Sequence, residues 1–193
     1  MKKRILYIIL GTLLALFIIF KLLFPSGCIT ELKEGDIIFQ TSQSRQSKFV
    51  ALATMSPKTH CGIIINKNDQ LYVLEASNTV RLTPLKQFID KGLFNSYSVY
   101  RYTNKPVNIS YNNYLGLAYD SQFSWTNKNY YCSELVWKIY KDQLGIELCK
   151  PKPLVYYTTF GLEKVIKKRN INPKDLFVAP SDISSSFKVR RLI

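Results

Sequence analysis

The sequence predicts an α+β domain carried behind one N-terminal apolar helix, and three observations predict it. A basic start, Met1-Lys2-Lys3-Arg4, runs into the stretch Ile5–Phe24, interrupted only by Thr12 and Lys21. Behind it, short β-rich runs and amphipathic segments follow one another in no strict βαβ order, which favours an α+β arrangement over a parallel sheet. The 193 residues, 47% apolar and 13% aromatic, suffice for one well-packed domain and exclude a disordered chain.

At 1.5 Å rise per residue, about 20 residues span roughly 30 Å, the thickness of a bilayer's hydrocarbon core. Lys2, Lys3 and Arg4 hold the start in the cytoplasm, and Lys21 can snorkel to the far interface. The division is therefore residues 1–28 as membrane anchor or signal segment and 29–193 as an exported domain. Three fates of the segment remain open. An uncleaved anchor fits the length of the run. A lipoprotein signal fits Ser26-Gly27 before Cys28, although Pro25 occupies the place where Leu is expected. A cleaved secretory peptide fits least, since no convincing cleavage site follows.

With 27 Lys+Arg against 13 Asp+Glu the chain carries a formal +14, and setting aside Lys2, Lys3, Arg4 and Lys21 leaves about +10 on the exported part. Such a charge suggests attraction to anionic polymers or lipid headgroups, with a merely solvated surface as the alternative because the charge is spread along the chain. An exported domain gives no reason to expect nucleic acid as partner. The four cysteines, Cys28, Cys61, Cys132 and Cys149, form no CxxC pair, and His60 is the single histidine. A structural zinc site wants about four N/S ligands in paired spacings, so no metal and no cofactor are expected.

Within the domain, Asp36–Gln40 reads as a strand, with Asp36 capping the turn into it. Ser44–Met55 reads as a helix with Phe49, Val50, Ala53 and Thr54 on one side. The runs His60–Ile65 and Gln70–Ala76 flank Asn66-Lys67-Asn68-Asp69, a hairpin signal. Pro84 starts a short helix to Lys91, Ser98–Tyr102 is a strand, and Ser110–Tyr119 reads as helical. In Cys132–Gly145, Leu135, Val136, Ile139, Tyr140 and Leu144 recur at helical spacing, with Gly145 as the stop. A further helix over 158–169 and an edge strand over 188–193 complete the pattern.

A turn centred between Lys67 and Asn68 pairs His60 with Glu75, Gly62 with Val73 and Ile64 with Leu71. Opposed residues of an antiparallel pair share a face, so the single histidine meets a carboxylate. A carboxylate accepting from one imidazole nitrogen fixes the tautomer and leaves the other nitrogen as a base. A purely structural His–Glu bond fits the same pairing. Cys132, at the start of a helix, sits where free N–H groups and the helix dipole lower a thiol's pKa and can hold an oxyanion; a core cysteine is the alternative. Cys61 points to the opposite strand face and reads as core, and Cys149 has no base near it in sequence.

The segments GDIIFQTSQSRQSK, ATMSPKTHCGI, LEASNTVRLTPLKQFI, YDSQFSW and YCSELVWKIY, between Glu34 and Gly145, resemble the YiiX-type permuted papain-like enzymes, circularly permuted relatives of the NlpC cell-wall cysteine hydrolases. The resemblance implies a permuted papain-like core, a small antiparallel sheet packed on the nucleophile helix. It implies a histidine, a polar residue and a cysteine in that order, which here are His60, Glu75 and Cys132. It further implies an amidase or peptidase acting on cell-wall peptides or amino-acid amides in the bacterial envelope. The lecithin:retinol acyltransferase-like branch, which handles lipid acyl groups, is the alternative. Cys61 departs from the family, which is expected to carry a non-thiol there. Tyr131, Trp125 and Tyr119 flank the nucleophile and are expected to line the substrate cleft, with core packing as the competing role. Arg45 or Lys48 are placed to meet an anionic substrate end, with solvated surface as the alternative for both.

Overall fold

The computed structural model describes residues 32–103, 105–157 and 162–193, together with residues 7, 10–15 and 17–19 of the apolar run. Those N-terminal residues are helical, with Leu10, Leu13, Leu14 and Phe17 exposed. Among the described residues no helix is long and apolar enough to cross a membrane. The rest of the expected span Ile5–Phe24, and Cys28 at its junction, lie outside the described residues.

The domain is built on a six-stranded antiparallel sheet. In chain order its strands are β1 (Ile37–Ser42), β2 (His60–Lys67), β3 (Gln70–Ala76), β4 (Val80–Pro84), β5 (Gly92–Arg101) and, later, β8 (Arg190–Arg191), in the spatial order β4-β3-β2-β1-β5-β8. Alternation sorts the side chains onto two faces. On one, Ile37, Phe39, Cys61, Ile63, Ile65 and Leu74 pack against Leu135, Val136, Ile139 and Tyr140 of helix α3 (Cys132–Leu144). On the other, Ile38, Ile64, Val73 and Val99 pack against Leu85, Phe88 and Ile89 of α2 (Leu85–Asp90). Each such buried side chain contributes about 1.5–3 kcal/mol of transfer free energy. A third cluster joins α1 (Arg45–Thr54) to α4 (Leu162–Arg169) through Phe49, Val50, Leu162 and Ile166. A two-stranded ribbon of β6 (Lys152–Pro153) and β7 (Leu176–Phe177), followed by α5 (Pro180–Ser184), closes the C-terminal side.

The elements start and stop for local reasons. Ser44 caps α1 by accepting from Ser47 N at 3.1 Å, and Met55 ends it at φ 51°. Gly145, at φ 70°, ends α3, where Ile146 N returns to Tyr140 O at 3.0 Å. Asp36 does cap its turn, accepting from Lys33 N at 2.8 Å, but it also holds Arg101 bidentately at 2.6 and 2.7 Å inside the core. Breaking such a buried pair typically costs about 3–5 kcal/mol.

Three expectations need correcting. The hairpin turn is two residues, Asn68-Asp69, both at positive φ (53° and 61°), so the register is Ile63↔Leu74 and Ile64↔Val73, two residues from the one expected. The segment 110–119 is helical only over a 3-10 turn, Asn112–Tyr114. Beyond it Val80 takes both backbone bonds, from Val80 N to Leu117 O and from Gly116 N to Val80 O, with Gly116 at φ 82°. Finally, Val80–Pro84 forms a further strand, β4, between the hairpin and α2, and β5 begins six residues before Ser98.

Candidate active site

The two-residue slip of the hairpin preserves parity, so His60 and Glu75 remain on one face as diagonal neighbours. His60 Nε2 lies 2.6 Å from Glu75 Oε2. His60 is the first residue of β2, beyond the last β2–β3 ladder pair Ile63↔Leu74. Its ring stacks on Phe88 of α2, centroids 5.6 Å apart. With Nε2 committed to Glu75, Nδ1 is the nitrogen left to meet Cys132, whose hydrogen bonding and charge help raise the pKa of the ring. Gly62 is obligatory beside it, because a Cβ there would stand 2.4 Å from Val73 Cγ1 and 2.6 Å from Leu74 O.

Glu75 is fully engaged. Its second oxygen accepts from Thr83 Oγ1 at 2.5 Å and from Arg81 Nη2 at 3.3 Å. Both donors come from β4, where Arg81 stands directly opposite Glu75 and Thr83 opposite Val73. The alternation Val80-Arg81-Leu82-Thr83 was the signal that could have found them.

Cys132 is the first residue of α3, which packs its N-terminal turn onto β2. Its pKa is held well below the ordinary thiol value. A hydrogen bond from Cys61 is the largest cause, burial opposes it, and hydrogen bonding and charge from His60 add to the lowering. For His60 burial works against the charged ring. The bonds to Cys132 and Glu75 outweigh it and raise the pKa to about 10. Burial likewise opposes the Glu75 charge, and the bonds from His60 and Thr83 bring its pKa down to about 2. The electrostatics thus favour a thiolate–imidazolium pair backed by a carboxylate.

A cavity of about 70 Å³ opens beside His60 and Glu75, walled by Gln40, Ser42, Ser47, Thr59, Asn78 and Tyr119, with Lys91 at its exposed rim. Gln40 pairs with His60 across β1–β2 and is buried, its amide oxygen without a hydrogen-bond partner among the described residues. Of the three aromatics expected to line the substrate cleft, only Tyr119 stands on the wall of this cavity. Tyr131 is wholly buried, stacked on Phe177 with its hydroxyl accepting from Val178 N at 3.0 Å. Trp125 packs edge-on against Trp137 and under Lys138. Both serve the core because the loop before α3 folds back on the helix. Lys48 is exposed on α1 away from the cavity wall. Burial pushes the Cys149 thiol up to about 12.

Comparison with known proteins agrees with this architecture. Residues 31–181 match the model of a family described as permuted papain-like amidase enzymes, YaeF/YiiX, C92 family. An uncharacterized protein YiiX of Escherichia coli (strain K12) is 34% identical over 165 residues, covering 76% of this chain and 82% of the relative. The crystal structure of the metalloprotein yiiX from Escherichia coli O157:H7 superposes with a TM-score of 0.76 at 33% identity, covering 83% of this chain and 96% of that one. A histidine strand preceding the cysteine helix is the permuted order, and the chain belongs to the YaeF/YiiX, C92 family of permuted papain-like amidases.

Proposed function

We propose that the chain is a cysteine amidase or peptidase of the bacterial cell envelope, cleaving short polar peptides or amino-acid amides with Cys132, His60 and Glu75. One observation carries the reading. The imidazole is anchored through Nε2 by a buried, triply bonded carboxylate and leaves its other nitrogen to a thiol at a helix N-terminus.

In the proposed reaction the Cys132 thiolate attacks the amide carbonyl carbon, and the backbone N–H of Cys132 donates to the developing oxyanion. The C–N bond breaks as His60 passes its proton to the leaving amine. His60 then takes a proton from water, whose oxygen attacks the thioester, and the thiolate leaves. Glu75 holds the ring in one orientation throughout and stabilises its charge.

The cavity supports the peptide reading over the lipid one. Its hydroxyl and amide walls beside His60 offer the hydrogen bonds that a peptide or amide backbone needs. The positive surface and the N-terminal run support an anchor that holds the domain outside the cytoplasm near anionic wall polymers. The related yiiX is described as a metalloprotein. The residues here do not fit a metal: among the described residues no three His, Cys, Asp or Glu side chains gather to hold one, and His60 Nε2 already faces Glu75.

The test incubates the full chain and its Cys132→Ala twin with mixed muropeptides and membrane lipids, and reads products by mass spectrometry. A peptide fragment made only by the wild type is expected. Released or transferred fatty acid would move the chain to the lipid branch, and turnover by the alanine variant would remove Cys132 from its role.

A further inference from the structure

Strand β2 carries His60 on one face and Cys61 on the other, and the fold brings both to the same sulfur. Cys61 has no exposed surface, and Cys132 is 2% exposed in the same cluster between the sheet and α3. In an antiparallel strand successive N–H groups point to alternate neighbours. Ile64 N bonds to β1 through Asp36 O, so the N–H of Cys61, three residues earlier, points toward β3. The β2–β3 ladder has ended by then, at Ile63↔Leu74. Hydrogen bonding from the Cys61 thiol is the largest cause lowering the Cys132 pKa, and the Cys61 backbone adds to it.

We propose that Cys61 is a positioning residue for the nucleophile, its backbone N–H and its S–H together gripping the Cys132 sulfur and holding it as a thiolate. This rests on the reading of Cys132 as nucleophile. Burial, followed by the neighbouring Cys132, pushes the Cys61 thiol well up, so it remains a protonated donor. The division of labour follows from the strand's period of two. His60 supplies the proton-transfer partner from one face, and Cys61 supplies fixed donors from the other. Among the described residues, the other titratable groups close enough to interact with Cys132 are Tyr119 from the preceding loop and Tyr131 at the helix cap, with Glu75 behind His60. Burial raises both tyrosines well above their ordinary values, so neither brings a charge to the sulfur at neutral pH.

The test measures iodoacetamide alkylation of Cys132 against pH in the full chain, read on the Cys132 peptide by mass spectrometry. It compares wild type, Cys61→Ala, Cys61→Val and Cys61→Ser. Removing the S–H donor is expected to move the alkylation midpoint up by about one pH unit, which cuts the thiolate fraction roughly tenfold and the net rate about threefold on the acid side. The same change makes the thiolate intrinsically more nucleophilic, so the alkaline plateau rises by about threefold at a Brønsted slope near 0.4–0.5. Curves that cross in this way are not produced by looser packing, which changes rate at every pH alike. Cys61→Ser, whose O–H can donate, is expected to restore the wild-type midpoint. Cys61→Val fills the core without a donor and replaces the alanine variant if that one does not fold. Donor-less variants whose midpoint coincides with wild type, or a uniform offset at all pH values, overturn the proposal while leaving Cys132 as nucleophile. A wild-type midpoint at the ordinary thiol value overturns the nucleophile reading itself.

Discussion

Glu75 and Glu134 make an informative pair. Both are almost completely buried, at 2% and 0% exposure, both sit within a few residues of an element's end near Cys132, and both have a cation close by. Yet Glu75 is brought down to about 2 and Glu134 is pushed up to about 7, although burial works against the charge more strongly than any other single influence in both. The difference lies in donors. Glu75 receives His60, Thr83 and Arg81 on its two oxygens. Glu134 has Lys138 Nζ at 2.7 Å and a long bond from Tyr131 N at 3.4 Å, and the charge of Asp120 works against it. Burial thus makes a carboxylate conditional, and the hydrogen-bond partners decide whether it is charged.

The largest expected effect separates the two residues by function. Glu75→Gln should lower kcat by about 10²–10⁴-fold, since the amide cannot stabilise the imidazolium and leaves the ring's orientation unsettled. Glu134→Gln keeps the acceptor for Tyr131 N and should leave kcat within about threefold. Steady-state rates on any amide substrate decide this, and equal losses in the two variants would erase the distinction.

The next effect is on stability, and its sign differs between the two. The folded-state pKa of Glu75 lies below its unfolded value, so its contribution is complete above about 4.5 and is lost as pH falls toward about 2. His60 is raised, so its contribution is complete below about 6.5 and is lost as pH rises toward about 10. Glu134 is raised as well, so the folded state keeps its proton longer and stability declines as pH climbs from about 4.5 through about 7. Thermal melts should therefore show Glu134→Gln gaining on wild type between about pH 5 and pH 8, while the deficit of Glu75→Gln shrinks on acidification. A Glu134→Gln deficit that grows with pH would mean that the Lys138 ion pair keeps this carboxylate charged.

How much of this was legible in the sequence depends on what sets each feature. The face shared by His60 and Glu75 was readable because parity survives a slip of two residues, and the Cys132 helix because its apolar period and Gly145 stop agree. The register was not readable from four turn-forming residues in a row. The choice of Asn68-Asp69 depends on which two adopt positive φ. The segment 110–119 misled because Tyr111, Tyr114 and Leu115 keep helical spacing, while the long-range bonds to Val80 that extend it leave no local trace. Missing β4 hid Thr83 and Arg81, and with them the reason Glu75 stays charged. Tyr131 reads the same whether it lines a cleft or a core, because its hydroxyl partner, Val178, is distant in sequence.

A smaller effect tests the donors of Glu75 one at a time. Thr83→Val keeps the side-chain shape and deletes the 2.5 Å bond to Oε1. Bonds to charged groups are worth about 1.5–3 kcal/mol, and only part of that reaches the reaction through the orientation of His60. A fall of about tenfold in kcat/KM is expected, with the acid limb of the pH profile displaced upward as the Glu75 pKa rises. An unshifted acid limb would mean that Thr83 merely packs.

The smallest effect belongs to Arg81, although it is the charged member of the set. Its guanidinium reaches Oε1 at 3.3 and 3.4 Å with its side chain 40% exposed. A long, solvent-screened contact of this kind is worth under about 1 kcal/mol. Arg81→Ala should therefore change kcat/KM by less than about fivefold, below the effect of Thr83→Val, and its effect should fade further as salt rises. A larger loss than Thr83→Val, insensitive to salt, would show that formal charge outweighs hydrogen-bond geometry at Glu75. Lys138 beside Glu134 argues the other way: its ammonium is nearer, at 2.7 Å, and still leaves that carboxylate's pKa raised.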